Sequence, residues 1–137
     1  MENCTYLFVY GSLRSGFKSP AYEYISQYFN FVSAAKTKGI LYNLGTHPVA
    51  KPTDDSKYIV GELYQVSNPK FASYAFAQID DYEGIDNTEN ENTDYIKSLA
   101  TIETENHSYT AIVYWYNGNV NQATIIESGD VMDFKVL

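Results

Sequence analysis

Two short stretches hold the residues best suited to chemistry. The first is LFVYGSLRSG, residues 7–16. An apolar, strand-like run, Leu7 to Val9, reaches Tyr10 and then breaks into Gly11, Ser12, Leu13 and Arg14. A chain leaving a strand through such residues turns successive backbone N–H groups toward one point, and a nest of this kind holds a carboxylate or an oxyanion. Glycine at position 11 permits positive φ and close approach of another molecule. The same spacing also fits an ordinary tight turn. It is not a phosphate loop or a dinucleotide fingerprint, because the Gly-Lys-Ser/Thr ending and the Gly-x-Gly-x-x-Gly spacing are both missing.

The second stretch is QIDDYEGID, residues 78–86. Glu83 stands at the expected end of a helix, beside a helix-ending glycine, Gly84. The partial negative charge of a helix C-terminus, with Asp80 and Asp81 nearby, is expected to disfavour its carboxylate. Such a carboxyl group can take and return a proton near neutral pH. A solvated acidic helix end reads the same way.

Other chemistries lack their residues. Ser12 has no Gly-x-Ser-x-Gly elbow, and only His47 and His107 could serve as its base. The single cysteine, Cys4, excludes an internal disulfide and reads as a packing residue. One Cys and two distant His lack zinc-ligand spacing, and the acidic loop 86–94 lacks the ordered calcium-loop pattern. Neither a metal nor another cofactor is expected.

The elements that must position these residues follow from periodicity. Residues 5–10 form an apolar run of strand length. Ser19-Pro20 caps a helix over about 20–30, with Tyr22, Ile25, Phe29 and Val32 at helical spacing. Residues 38–44 and 58–66 read as strands, and Gly61 inside the latter predicts a bulge or bend. Asn68-Pro69 starts a second helix with Phe71, Tyr74, Ala75, Ile79 and Tyr82 on its apolar face. Residues 95–104 and 108–116 form a hairpin around Glu105-Asn106-His107, and a last short strand or loop lies in the tail from Ile125. This order has too few strand–helix–strand alternations for a doubly wound parallel sheet. It predicts an α+β fold, a mixed, curled sheet or small barrel with two main helices.

The length of 137 residues suits one domain, 1–137, able to bury a core of its own. The net charge of −8 disfavours nucleic acid and anionic membrane as partners. The absence of a basic, apolar leader and the lone cysteine point to a cytoplasmic protein. Oligomeric state is not legible. The 14 Tyr, 7 Phe and 1 Trp fit a β-rich core with tyrosines at its edges, and also a tyrosine-lined pocket.

Six segments in order, VYGSL (9–13), GILYNLGTHPVA (39–50), VGELYQV (60–66), IDDYEG (79–84), AIVYWYN (111–117) and ESGD (127–130), together resemble the γ-glutamylcyclotransferase-like family. That family includes γ-glutamylamine cyclotransferase and the plant avirulence-induced proteins. The resemblance covers nearly the whole chain. It implies a small mixed barrel with an active cleft. It also implies that Glu83 is the catalytic glutamate, that Tyr10, Gly11, Ser12 and Leu13 form the substrate-holding loop, and that Tyr116 is a pocket tyrosine. The implied reaction is closure of a γ-glutamyl amine or peptide to 5-oxoproline with release of a free amine, without a cofactor. A metabolite-binding module on the same scaffold, without turnover, is the alternative. Two positions depart from the family: an arginine is common where Lys97 stands, and an aromatic residue where His47 stands.

Overall fold

Strict alternation in the first strand decides what the barrel encloses. The computed structural model describes residues 4–11, 20–83 and 95–133, without the side chains of 20–22, 24, 82 and 83. In β1 (Tyr6–Val9), Leu7 and Val9 join one apolar cluster, while Phe8, followed by Tyr10, joins a second. Successive strand side chains point to opposite faces, so β1 has buried residues on both.

The chain continues through α1 (Pro20–Tyr28), β2 (Phe29–Asn43), β3 (Pro48–Pro52), β4 (Tyr58–Val66), a 3-10 turn (Pro69–Phe71), α2 (Ala72–Glu83), β5 (Tyr95–Glu103), β6 (Ser108–Tyr116) and β7 (Thr124–Ile125). The strand order is β3-β2-β4-β1-β6-β5, and a further β2–β5 pairing joins Lys36 to Glu103. Five strands, β2, β4, β1, β6 and β5, therefore close a barrel, while β3 and β7 extend the far half of β2. All pairings are antiparallel except β1–β6, which is parallel with Leu7 opposite Ile112. The architecture is α+β, a small mixed barrel flanked by two helices.

Phe8, Leu63, Ile102, Val113 and Trp115 belong to the interior cluster. The outer cluster joins Ile25 of α1 and Ala75, Phe76 and Ile79 of α2 to Leu7, Val9, Tyr64, Val66, Ile112 and Tyr114 on β1, β4 and β6. Each fully buried large apolar side chain contributes about 1.5–3 kcal/mol relative to exposure.

Several boundaries differ from the sequence reading. The first helix stops at Tyr28, and β2 begins at Phe29 without a connecting loop. Phe29 and Val32, spaced for a helix face, thus belong to a strand, where Val32 falls at a register irregularity between Phe31 and Ser33. The β2 strand is consequently 15 residues long. Its pairing with β4 along nine β4 residues outweighs the local helical spacing. The five-residue β3 was not anticipated; its two prolines stand at its ends, where a strand tolerates them. Gly61 is not the site of the bulge. A Cβ there would meet the Phe8 ring and the Val9 carbonyl, so this glycine serves close approach of β1. On α2 the buried face is Ala75, Phe76, Ile79 and Asp80, whereas Tyr74, and Phe71 in the preceding 3-10 turn, are 52% and 55% exposed. Asn68 does cap the 3-10 turn as expected, its Oδ1 accepting the Lys70 N–H at 3.0 Å.

Candidate active site

One end of the barrel gathers three of the candidate residues, Tyr10, Gly11 and Tyr116, and the strand registers explain why. Parallel pairing of Leu7 with Ile112 carries the end of β1, Tyr10 and Gly11, alongside the end of β6, Trp115 and Tyr116. Antiparallel pairing of β5 with β6 sets Tyr95 opposite Tyr116 and Lys97 opposite Tyr114. The last turn of α2 is fastened to the same place through Asp80.

Tyr10 is buried with its ring stacked on Trp115, 6.4 Å between centroids, and its hydroxyl donates to the Tyr114 carbonyl at 2.6 Å. Its side chain therefore anchors the end of β1 against β6. Gly11 has no positive φ, and among the described residues a Cβ there would meet no atom within 4 Å. The conformational freedom expected of this glycine is therefore not what the fold uses. Ser12 and Leu13 lie outside the described residues.

Tyr116 is half-buried at the end of β6. Its ring meets the Tyr95 ring edge-on at 5.8 Å, and the Lys51 ammonium stands 6.0 Å from its centroid, at the outer limit of a cation–π contact. The same ring lies against Gly118, where a Cβ would collide with it. Glu83 is the last residue of α2; its side chain and Gly84 lie outside what is described.

Three side chains form a polar network that the sequence reading did not assemble. Asp80 is 9% exposed. Its Oδ1 accepts the Tyr114 hydroxyl at 2.5 Å and its Oδ2 accepts the Lys97 ammonium at 2.7 Å. Each carboxylate oxygen thus receives a short, charge-assisted bond. The signal was present in the helix spacing, since residues 75, 76, 79 and 80 fall on one face. It was masked by Asp81, which makes Asp80 look like half of a solvated pair.

The resolved pKa shifts concern other parts of the molecule. The Tyr28 phenol at the end of α1 is held above its ordinary value by a hydrogen bond with Tyr74 and by burial. Burial, then a hydrogen bond with Glu103, raises Tyr58. The ESGD segment has a structural place. Gly129, at φ +69°, donates its N–H to the Ile126 carbonyl and accepts the Val60 N–H, so that Val131 enters the interior cluster. A depression of about 340 Å3 beside this turn is lined by Lys57 and Glu127 among others, and holds none of the candidate residues. Among the described residues, no group of three or more His, Cys, Asp or Glu could hold a metal ion, and no helix is long and apolar enough to cross a membrane.

Comparison with solved structures gives YkqA from Bacillus subtilis at 27% identity and TM-score 0.66, covering 92% of this chain but 39% of YkqA. The chain thus spans about two fifths of that protein's length. The ytfP protein from Escherichia coli matches at 26% identity and TM-score 0.61 over 93% of this chain and 96% of its own. An AIG2-like protein from Mus musculus shares the fold at 19% identity and TM-score 0.57, over 81% of this chain and 76% of its own. A search of curated proteins finds no match. A family model matches residues 7–132, and with the barrel and its two helices it shows that the chain belongs to the gamma-glutamyl cyclotransferase, AIG2-like family.

Proposed function

We propose that this chain is a γ-glutamyl cyclotransferase-type enzyme acting on a γ-glutamyl amine or peptide. The observation that carries the reading is the family match across residues 7–132. In such a substrate the α-amine nitrogen attacks the γ-carbonyl carbon. The tetrahedral oxyanion then collapses, the bond to the γ-amine breaks, and 5-oxoproline leaves with a free amine. The nucleophile is already tethered, so the protein needs mainly to hold the folded conformer and move protons. In this reading Glu83 takes a proton from the α-ammonium and gives it to the departing amine, and the second proton that the α-nitrogen sheds on closing the lactam passes to the released amine or to solvent. Backbone N–H groups of Gly11, Ser12 and Leu13 receive the α-carboxylate or the oxyanion. Tyr10 anchors that loop, and Tyr116 forms a wall of the pocket. Gly11 supports this arrangement, since neither its φ nor its described neighbours require a glycine.

The test is to incubate the protein with a panel of γ-glutamyl peptides and amines and detect 5-oxoproline by mass spectrometry, with Glu83→Gln alongside. Product from the wild type and at least a hundredfold less from a folded Glu83→Gln is expected. Equal turnover in the variant would remove Glu83 from its role. Thermal stabilisation by these compounds with no product from either protein would favour a binding module instead.

A further inference from the structure

We infer that Asp80 is a positioning residue, the joint that fixes the last turn of α2 against β5 and β6. The inference rests on the proposed reaction only for its kinetic consequence. Asp80 binds Tyr114 of β6 through Oδ1 and Lys97 of β5 through Oδ2. Tyr114 in turn accepts the Tyr10 hydroxyl on its main-chain carbonyl. One carboxylate therefore links α2, β5 and β6, and through Tyr114 it reaches Tyr10 at the end of β1. Glu83 follows Asp80 by three residues, less than one helical turn.

The chemistry of the joint argues for geometry over stability. A buried ion pair gains little over well-packed apolar residues, because desolvation offsets its attraction. Its bonds are nevertheless short and directional, and both acceptor oxygens are engaged. The ion pair is largely withdrawn from solvent, with the Lys97 and Asp80 side chains 27% and 12% exposed. An amide at position 80 has no charge and a single acceptor oxygen, so the ion pair with Lys97 is lost and Tyr114 keeps a bond alongside Lys97 only by accepting from the amide nitrogen. The α2 end would then rest more heavily on the apolar contacts of Ala75, Phe76 and Ile79. Lys97→Arg keeps a cation able to reach the carboxylate, whereas Lys97→Met does not.

Amide hydrogen exchange tests the joint whatever the substrate. In Asp80→Asn, exchange at residues 81–83 should rise at least tenfold relative to residues 75–77; unchanged relative exchange would overturn the inference. Steady-state kinetics on the active γ-glutamyl compound should give kcat lowered ten- to hundredfold with KM within threefold. Lys97→Met should behave likewise and Lys97→Arg should stay near wild type. Ser98→Ala, which removes the Trp115–Ser98 hydrogen bond inside the barrel, controls for general destabilisation and should keep wild-type kcat. If Ser98→Ala and Asp80→Asn lower kcat equally, the joint has no special role and the inference fails. A wild-type protein without turnover would count against the proposed function, while the exchange result would still decide the fate of the joint.

Discussion

The substitution Gly61→Ala adds one methyl group at the most crowded point of the barrel wall. A Cβ at this position would stand 2.6 Å and 2.9 Å from two atoms of the Phe8 ring, and would also press on the Val9 carbonyl. The ring cannot swing clear, because Phe8 is 1% exposed and packed in the interior cluster. The carbonyl cannot retreat easily, because Val9 is paired with Glu62 in the β1–β4 ladder. Alanine in a strand gains about 0.5–1 kcal/mol over glycine from the unfolded chain. Overpacking costs about 1–3 kcal/mol and sits at the upper end where main chain is the obstacle. The difference is a net loss of about 2 kcal/mol. With a urea m-value of about 1.5 kcal/mol/M, the unfolding midpoint should fall by roughly 1.3 M. The sole tryptophan, Trp115, is 2% exposed, so its fluorescence reports the transition. Gly11→Ala makes the same chemical change where no described atom lies within 4 Å, so the gain stands without the clash and its midpoint should rise by about 0.3–0.7 M. An unchanged or higher midpoint for Gly61→Ala would refute the close approach of β1 to β4 from which the magnitude is derived.

Two further outcomes follow from the same reasoning. Gly129→Ala combines positive φ, +69°, with a Cβ driven into the Tyr58 carbonyl, and should lower stability by about 2 kcal/mol or more in the same urea titration. Breaking the exposed pair of Lys57 and Glu127 with Lys57→Ala should change stability by less than about 0.5 kcal/mol, since both side chains are open to solvent.

The hairpin of β5 and β6 was legible because both strands are long, apolar and joined by a polar three-residue turn. The placement of β4 was legible for a similar reason, with turn residues on either side. The closure of the barrel was less so. It depends on Lys36 meeting Glu103 and Leu7 meeting Ile112, pairings between residues far apart that no local pattern encodes. The start of β2 was misread because Ile25 and Phe29 stand at helical spacing across a boundary that tertiary pairing alone decides. At the candidate site, the loop at Tyr10 and the helix end at Glu83 stood out by composition. The Asp80, Lys97 and Tyr114 network did not, because its three members come from separate elements.

The parallel pairing of β1 with β6 also governs when the barrel can form. Strand β1 can find β4 once the first half of the chain is available, but its other edge has no neighbour until Ile112 has been made. Until then that edge presents unpaired main-chain groups, a template for pairing with other chains. Contacts between such remote residues slow folding, since a long loop must close before they form. The last strand to join the barrel is therefore the one that brings Tyr114 and Tyr116 beside Tyr10. A nascent or truncated chain lacking β6 would have α1, α2 and most of the sheet, yet would be the form most exposed to aggregation.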